Sequence, residues 1–166
     1  TEPKKVVTLI CDTGNKYLSK AFNKSWLHDN NLLEGEKFGD LRDLISRRAD
    51  QGEMITVAPS DSLLVAYNRM RASDISQLPV IKEGDLLGII DEEDVLISVS
   101  KNQGTFSDEV ERHMIQQLDV LQYNSSEEEL IGILSEGKVA IIYSEDTFIG
   151  FITKVDLINY YRNRLN

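Results

Sequence analysis

The chain is poor in the side chains that most chemistry needs. It holds a single cysteine, Cys11, and two histidines, His28 and His113, among 166 residues. One thiol cannot make an intrachain disulfide, and nothing in it points to an oxidising compartment. It also excludes a cysteine zinc site, and two histidines so far apart do not suggest a histidine one. Long apolar runs are missing as well. No stretch approaches the roughly 20 apolar residues of a membrane helix. The opening TEPKKVVTLICD lacks the arrangement of a secretory signal, so the expected location is the cytoplasm and no membrane partner is expected. Positive charge is the scarcer sign, with 18 Lys and Arg against 28 Asp and Glu and a net charge of -10. Most of such a surface would repel a phosphate backbone, so nucleic acid is not an expected partner. The sequence begins at Thr1 without an initiator Met, and we expect it to be a piece of a longer protein.

What is present is an ordinary globular composition, 41% hydrophobic and 28% charged. The pattern changes along the chain. Val6 to Ile10 reads as a buried strand, Asp12-Thr13-Gly14 as a turn, and Asn15 to Phe22 as a helix, with a short helical piece over Ser25 to Asn30. EGEKFGD reads as a linker and LRDLISRR as a helix after it. From about Glu53 a different order sets in. MITVA is a strand, SLLVAYNRMR a helix with Leu63, Ala66, Tyr67 and Met70 on one face, LPVIK and LLGII two strands joined by a turn, and DEEDVLISVS a helix. SDEVERHMI reads as a connecting helix. The order then begins again: LDVLQ strand, SEEELIGIL helix, VAIIYS strand, FIGFIT strand, KVDLINYYRNRL helix. The fold class is therefore mixed α/β (α+β), with two β-α-β-β-α units about sixty residues apart. Units of this size usually cannot bury their apolar faces alone and must pair. The expected divisions are a tail over 1–34, a linker and helix over 35–52, a first unit over 53–104 and a second over 105–166.

Each unit ends in the same strand-to-helix junction, GIIDEEDVL in the first and GFITKVDLI in the second. Two readings of it stand side by side. In one, Thr153 with Asp156, and Asp91 with Asp94, are capping boxes that satisfy early helix N–H groups, while Gly88 and Gly150 let the strand pass close to a neighbour. In the other, the same helix N-terminus and carboxylate receive an oxygen-rich ligand, the carboxylate accepting from the two hydroxyls of a ribose. Two such units packed together would leave two clefts floored by apolar strand residues, which suits an adenine ring.

The residues VAYNRM, ISQLPVI, GIIDEEDVL, VAIIY and GFITKVDLI resemble a tandem pair of CBS domains, a Bateman module, over roughly 53–165. The resemblance implies two repeats packed as a pseudo-twofold pair. It implies one cleft made by Thr153, Asp156, Val155 and Phe151 with Ile75, Gln77, Met54 and Ile55 across it, and a weaker second cleft made by Asp91, Asp94, Val139 and Ile141. It also implies an adenosyl ligand and pairing into a homodimer through the helices ending in ISVS and INYYRNRL.

The opening VVTLICDTGNKYLSKAF is similar to the closing strand and helix of the PLP-dependent β-replacing enzymes, the cysteine synthase and cystathionine β-synthase group. That resemblance puts Thr13 where the family's hydroxyl meets the pyridine nitrogen of PLP. The family's Schiff-base lysine and phosphate cradle lie upstream of that strand and are not in this sequence. The chain is thus expected to be a regulatory piece without catalytic residues, cofactor or metal of its own, and the parent enzyme to carry the PLP.

The ligand expected first is S-adenosylmethionine, ahead of AMP or ATP. A stand-alone nucleotide sensor and a ligand-free dimerisation module are the alternatives. In the first copy Asp91 stands where the family has Thr or Ser. Two like charges about 4 Å apart cost about 4 kcal/mol at an effective dielectric of about 20, so that cleft is expected to be empty or to refuse phosphates. Trp26, Tyr160 and Tyr161 are expected to pack or to meet a second copy. His28 and His113 are expected on the surface, and Glu127-Glu128-Glu129 on a solvated helix face.

Overall fold

The computed structural model describes residues 37–49 and 54–165, together with Leu27 and Gly52. The opening strand, Thr13, Trp26 and His28 lie outside the described residues.

The first copy runs from a bridge at Val57 through helix α1 (Leu63–Ser73), strand β1 (Gln77–Lys82), strand β2 (Asp85–Asp91) and helix α2 (Glu92–Lys101). The second runs through strand β3 (Asp119–Gln122), helix α3 (Glu127–Ser135), strands β4 (Ala140–Ser144) and β5 (Thr147–Ile152), and helix α4 (Lys154–Asn163). The expected β-α-β-β-α order holds in the second copy and, with its opening strand reduced to a bridge at Val57, in the first. Ser62, Asp91, Ser126 and Thr153 cap these helices with side-chain oxygens, and the last three do so in capping boxes. The hairpins match in detail. β1 and β2 pair antiparallel with an irregularity between Val80 and Ile81, and β4 and β5 do the same between Ile142 and Tyr143.

Three expected elements differ. MITVA makes one parallel bridge, Val57 to Val80, where the second copy has a parallel ladder of β3 on β4. LRDLISRR is a 3-10 turn over Leu41–Leu44 that ends at an extended Ile45. The chain then lies along β5, where Ala49 N–H donates to the Ile149 carbonyl. SDEVERHMI holds a 3-10 turn only over Val110–Arg112, because sheet-like pairing of Glu109 with Ser62 and of Ile115 with Ile89 pulls its ends out straight.

These two connections decide where the core sits. Leu41, Leu44 and Ile45 precede the first copy, yet they are buried with Leu130, Ala140, Ile142, Ile152 and Leu157 of the second. Val110 precedes the second copy and is buried with Leu63, Met70, Leu78 and Ile90 of the first. Each copy's core is completed by the segment leading to the other. A third cluster, Ile89 with Ile141 and Phe148, joins the copies. A fully buried aliphatic side chain contributes about 1.5–3 kcal/mol, so the crossing segments tie the pair together as one body. Among the described residues no helix is long and apolar enough to cross a membrane.

Candidate functional site

The second copy's junction builds one wall of a cavity of about 500 Å³. β5 ends at Ile152 and the chain stays extended at the cap residue Thr153 (φ -107°, ψ 170°) before α4 begins at Lys154. The Thr153 hydroxyl accepts from Asp156 N–H at 3.3 Å and donates to Asp156 Oδ2 at 2.6 Å. Asp156 Oδ2 also accepts from Thr153 N–H at 2.8 Å. Asp156 Oδ1 accepts from the hydroxyl of Ser46. The carboxylate thus faces the cavity already held by two hydroxyls.

The opposite wall comes from the first copy. α1 stops at Asp74, whose left-handed backbone (φ 54°) reverses the chain. Ile75 N–H then returns to the Met70 carbonyl. This places Ile75, Ser76 and Gln77 on the cavity, with Met54 and Ile55 beside them. Phe151, Val155 and Val139 supply further apolar surface. Every residue expected in the first cleft borders this cavity.

Several lining residues had no signal in the sequence. Ser46 and Arg47 come from the stretch read as a helix ahead of the first copy, and only the crossing of that segment onto β5 brings them here. Lys138, Lys154 and Asn159 also line the cavity. The Lys138 ammonium donates to Glu136 at 2.9 Å and to Asp119 at 3.2 Å, and these carboxylates raise its pKa. Apolar floor, held carboxylate and basic rim make a site that can hold a flat ring and a hydroxyl-bearing, charged tail. Among the described residues no histidine borders it, and no group of acids, histidines and cysteines is placed to hold a metal.

Of the residues expected in the second cleft, Val139 and Ile141 share one apolar cluster with Ile89 and Phe148, and Asp91 and Asp94 share a capping box. Val139 borders the cavity of Thr153 and Asp156. Ile141 is fully buried between the copies, because the register of β4 turns it against Ile89 and Phe148. Asp91 and Asp94 form the first copy's capping box: Asp94 N–H donates to Asp91 Oδ1 at 2.8 Å and Asp91 N–H to Asp94 Oδ2 at 3.1 Å. Burial, and then the charge of Asp91, push the Asp94 carboxyl up to about 6.

His113 is also not a plain surface residue. Its ring lies between Ser98 (Nδ1 to Oγ, 2.9 Å) and Asp108 (Nε2 to Oδ2, 3.2 Å), pinning α2 to the connection that follows it. Glu127, Glu128 and Glu129 are exposed as expected, and the hydroxyl of Tyr161 donates to Glu127.

Residues 41–101 match the CBS domain family. In sequence the chain is similar to cystathionine beta-synthase of Dictyostelium discoideum, 24% identical over 93% of this chain and 34% of that protein. It therefore spans about a third of the curated relative it matches. In structure it is similar to a CBS-domain containing protein from Agrobacterium tumefaciens (TM-score 0.64, 23% identity, 74% of this chain and 98% of that one). It is similar also to a protein with CBS domains from Burkholderia ambifaria (TM-score 0.67, 21% identity, 76% and 96%).

Proposed function

We propose that this chain, whose fold is that of a CBS-domain pair, is a regulatory module that holds an adenosyl ligand in the cavity between its copies. We further propose S-adenosylmethionine as the ligand, and a PLP-dependent enzyme of the cystathionine β-synthase and cysteine synthase group as the parent. The observation that carries the reading is the cavity itself. It gathers Thr153 and Asp156 from one copy with Ile75, Gln77, Met54 and Ile55 from the other around about 500 Å³. The similarity to the Dictyostelium protein supports the parent. The enzyme's cofactor would be held by residues outside this chain, so no step through it is assigned to the residues here. The role is regulatory rather than catalytic, and a homodimer in the cytoplasm is part of the same proposal.

Because the walls come from different copies, a ligand that fits only one spacing of the walls shifts the population of that spacing. It can do so only by its differential affinity. A hundredfold preference supplies about 2.7 kcal/mol.

A second reading has its own observation. Arg47, Lys138 and Lys154 border the cavity and would suit a phosphate tail, as in AMP or ATP, in a module acting apart from any enzyme. Calorimetric titration with S-adenosylmethionine, AMP and ATP decides. Saturable binding of S-adenosylmethionine at one site per chain, lost in Asp156→Ala, is the expected result. Binding of AMP or ATP alone would move the assignment to the second reading. A folded sample silent toward all of them would leave a dimerisation module.

A further inference from the structure

Asp156 is held from two directions, and the two holds differ in kind. The hold from Thr153 is local, a helix cap that engages Oδ2 twice, through the Thr153 amide at 2.8 Å and hydroxyl at 2.6 Å. The hold from Ser46 is long-range and engages Oδ1. Ser46 sits in the segment that crosses onto the second copy. On one side of it Ile45 packs so tightly on β5 that a Cβ at Gly150 would stand 2.5 Å from its Cγ2. On the other, Ala49 N–H donates to the Ile149 carbonyl at 2.9 Å.

A carboxylate offers about four accepting positions, roughly two on each oxygen. On Asp156 both positions of Oδ2 are taken and one of Oδ1 is taken. A vicinal diol that donates both its hydroxyls to this carboxylate needs two positions, and one remains. The cap cannot yield without exposing the first turn of α4. The Ser46 hydroxyl can.

We infer that Ser46 is a latch on this site: its hydroxyl occupies the position on Asp156 that the second hydroxyl of a vicinal-diol ligand must take. Ligand and residues 45–49 exchange on one carboxylate. This rests on the adenosyl reading of the cavity and adds to it how occupancy would reach the chain ahead of the first copy. Ser46 is a positioning residue in this account, acting on the ligand through Asp156. It sets affinity only for ligands that carry both hydroxyls. It is also a route by which binding loosens a segment outside both copies, without any movement of the copies themselves.

The test uses the full chain and Ser46→Ala, titrated with adenosine and with 2′-deoxyadenosine. Amide hydrogen exchange at Ala49 is followed with and without adenosine. Loss of the competing hydroxyl should tighten adenosine roughly tenfold, the low end of the net scale of one hydrogen bond to a charged group. The deoxynucleoside, which has one of the two hydroxyls only, should move less than about twofold on the same scale. Exchange at Ala49 should rise in Ser46→Ala without ligand, and in the unaltered chain when adenosine is added, against the usual slowing on binding. Adenosine bound equally or more weakly by Ser46→Ala overturns the latch while leaving the adenosyl reading in place. So does an Ala49 amide that adenosine protects. Failure of both proteins to bind adenosine at all overturns the adenosyl reading, and the latch with it.

Discussion

The two copies share a frame and differ at the joint between the last strand and the last helix. Both end a hairpin in a glycine-containing strand, both carry the same register shift, and both start the following helix with a capping box. In the second copy the box is a hydroxyl with a carboxylate, Thr153 with Asp156. In the first it is two carboxylates, Asp91 with Asp94, followed by the acidic first turn of α2. One cap oxygen thus changes what the joint can do. A hydroxyl both donates to its partner acid and accepts from the helix, so it caps without adding a second acid to the joint. A carboxylate cap accepts from the helix equally well but faces its partner with like charge. Burial first, and then the charge of Asp91, leave Asp94 holding its proton to about 6. Both joints cap their helices, and a cavity of about 500 Å³ lies at the hydroxyl joint.

The comparison is broken most severely at the glycines. A Cβ at Gly88 would stand 2.6 Å from the backbone oxygen of Ile115, and one at Gly150 2.5 Å from the methyl Cγ2 of Ile45. The distances are alike but the obstacles are not. Ile115 is pinned by a reciprocal pair of hydrogen bonds with Ile89, at 2.8 and 2.9 Å, whereas the Ile45 side chain can turn. Gly88→Ala should cost about 3 kcal/mol. Gly150→Ala meets a softer obstacle but also a backbone at φ 159° that side chains rarely adopt, and should cost about 2 kcal/mol, both read as shifts in the urea midpoint at unchanged slope. A cost at Gly150 equal to that at Gly88 would mean that its backbone and the crossing segment at Ile45 together yield no more than the backbone pair at Ile115.

The next effect comes from exchanging the caps. Thr153→Asp keeps an N-cap oxygen but places two acids in the second copy's box. We expect a loss of about 1 kcal/mol at neutral pH, after allowing for water around the joint. Asp91→Thr should gain a similar or smaller amount. Thermal unfolding of both variants at pH 7 checks the pair. If both substitutions were neutral, the choice of cap would not explain the difference between the joints.

How much of this is legible in sequence follows from how local each feature is. The boxes at Asp91 and Thr153 rest on residues three apart, and the hairpins on alternating runs closed by short turns, so both show in the residues themselves. The lining of Thr153, Asp156, Ile75 and Gln77 around one space came from the family resemblance, and the copies' pairing in the structure brings them there. What could not be read is tertiary. Nothing in LRDLISRR says that Leu41, Leu44 and Ile45 are buried in the second copy, or that Ser46 reaches Asp156 more than a hundred residues on. Helical spacing in that stretch was outweighed by the burial and strand-like bonding that draw it along β5. The same competition thinned MITVA to a bridge at Val57 and straightened the ends of SDEVERHMI. Val139 and Ile141 were assigned together, and both pack in the cluster that joins the copies. Val139, only partly buried there, also reaches the cavity.

The smallest effect is the one that isolates charge from shape. Asp94→Asn keeps an oxygen to accept from Asp91 N–H and removes the acid. With Asp94 pushed up to about 6 from an ordinary value of 3.8, the folded chain binds more protons than the unfolded chain between roughly pH 4 and 6. Stability supplied by the protonated carboxyl is therefore present below that window. It is lost as pH rises through it, and stays lost above about pH 6. Asp94→Asn should match the unaltered chain near pH 4 and exceed it above pH 6, by less than about 1 kcal/mol because water reaches the joint. Urea unfolding of both proteins across pH 4–8 reads the difference directly. A constant offset would assign the effect to packing, and an advantage that grew toward acid pH would reverse the sign of the account. A gap that opens between pH 4 and 6 would show that the first copy carries, in its cap, a charge penalty that Thr153 spares the second.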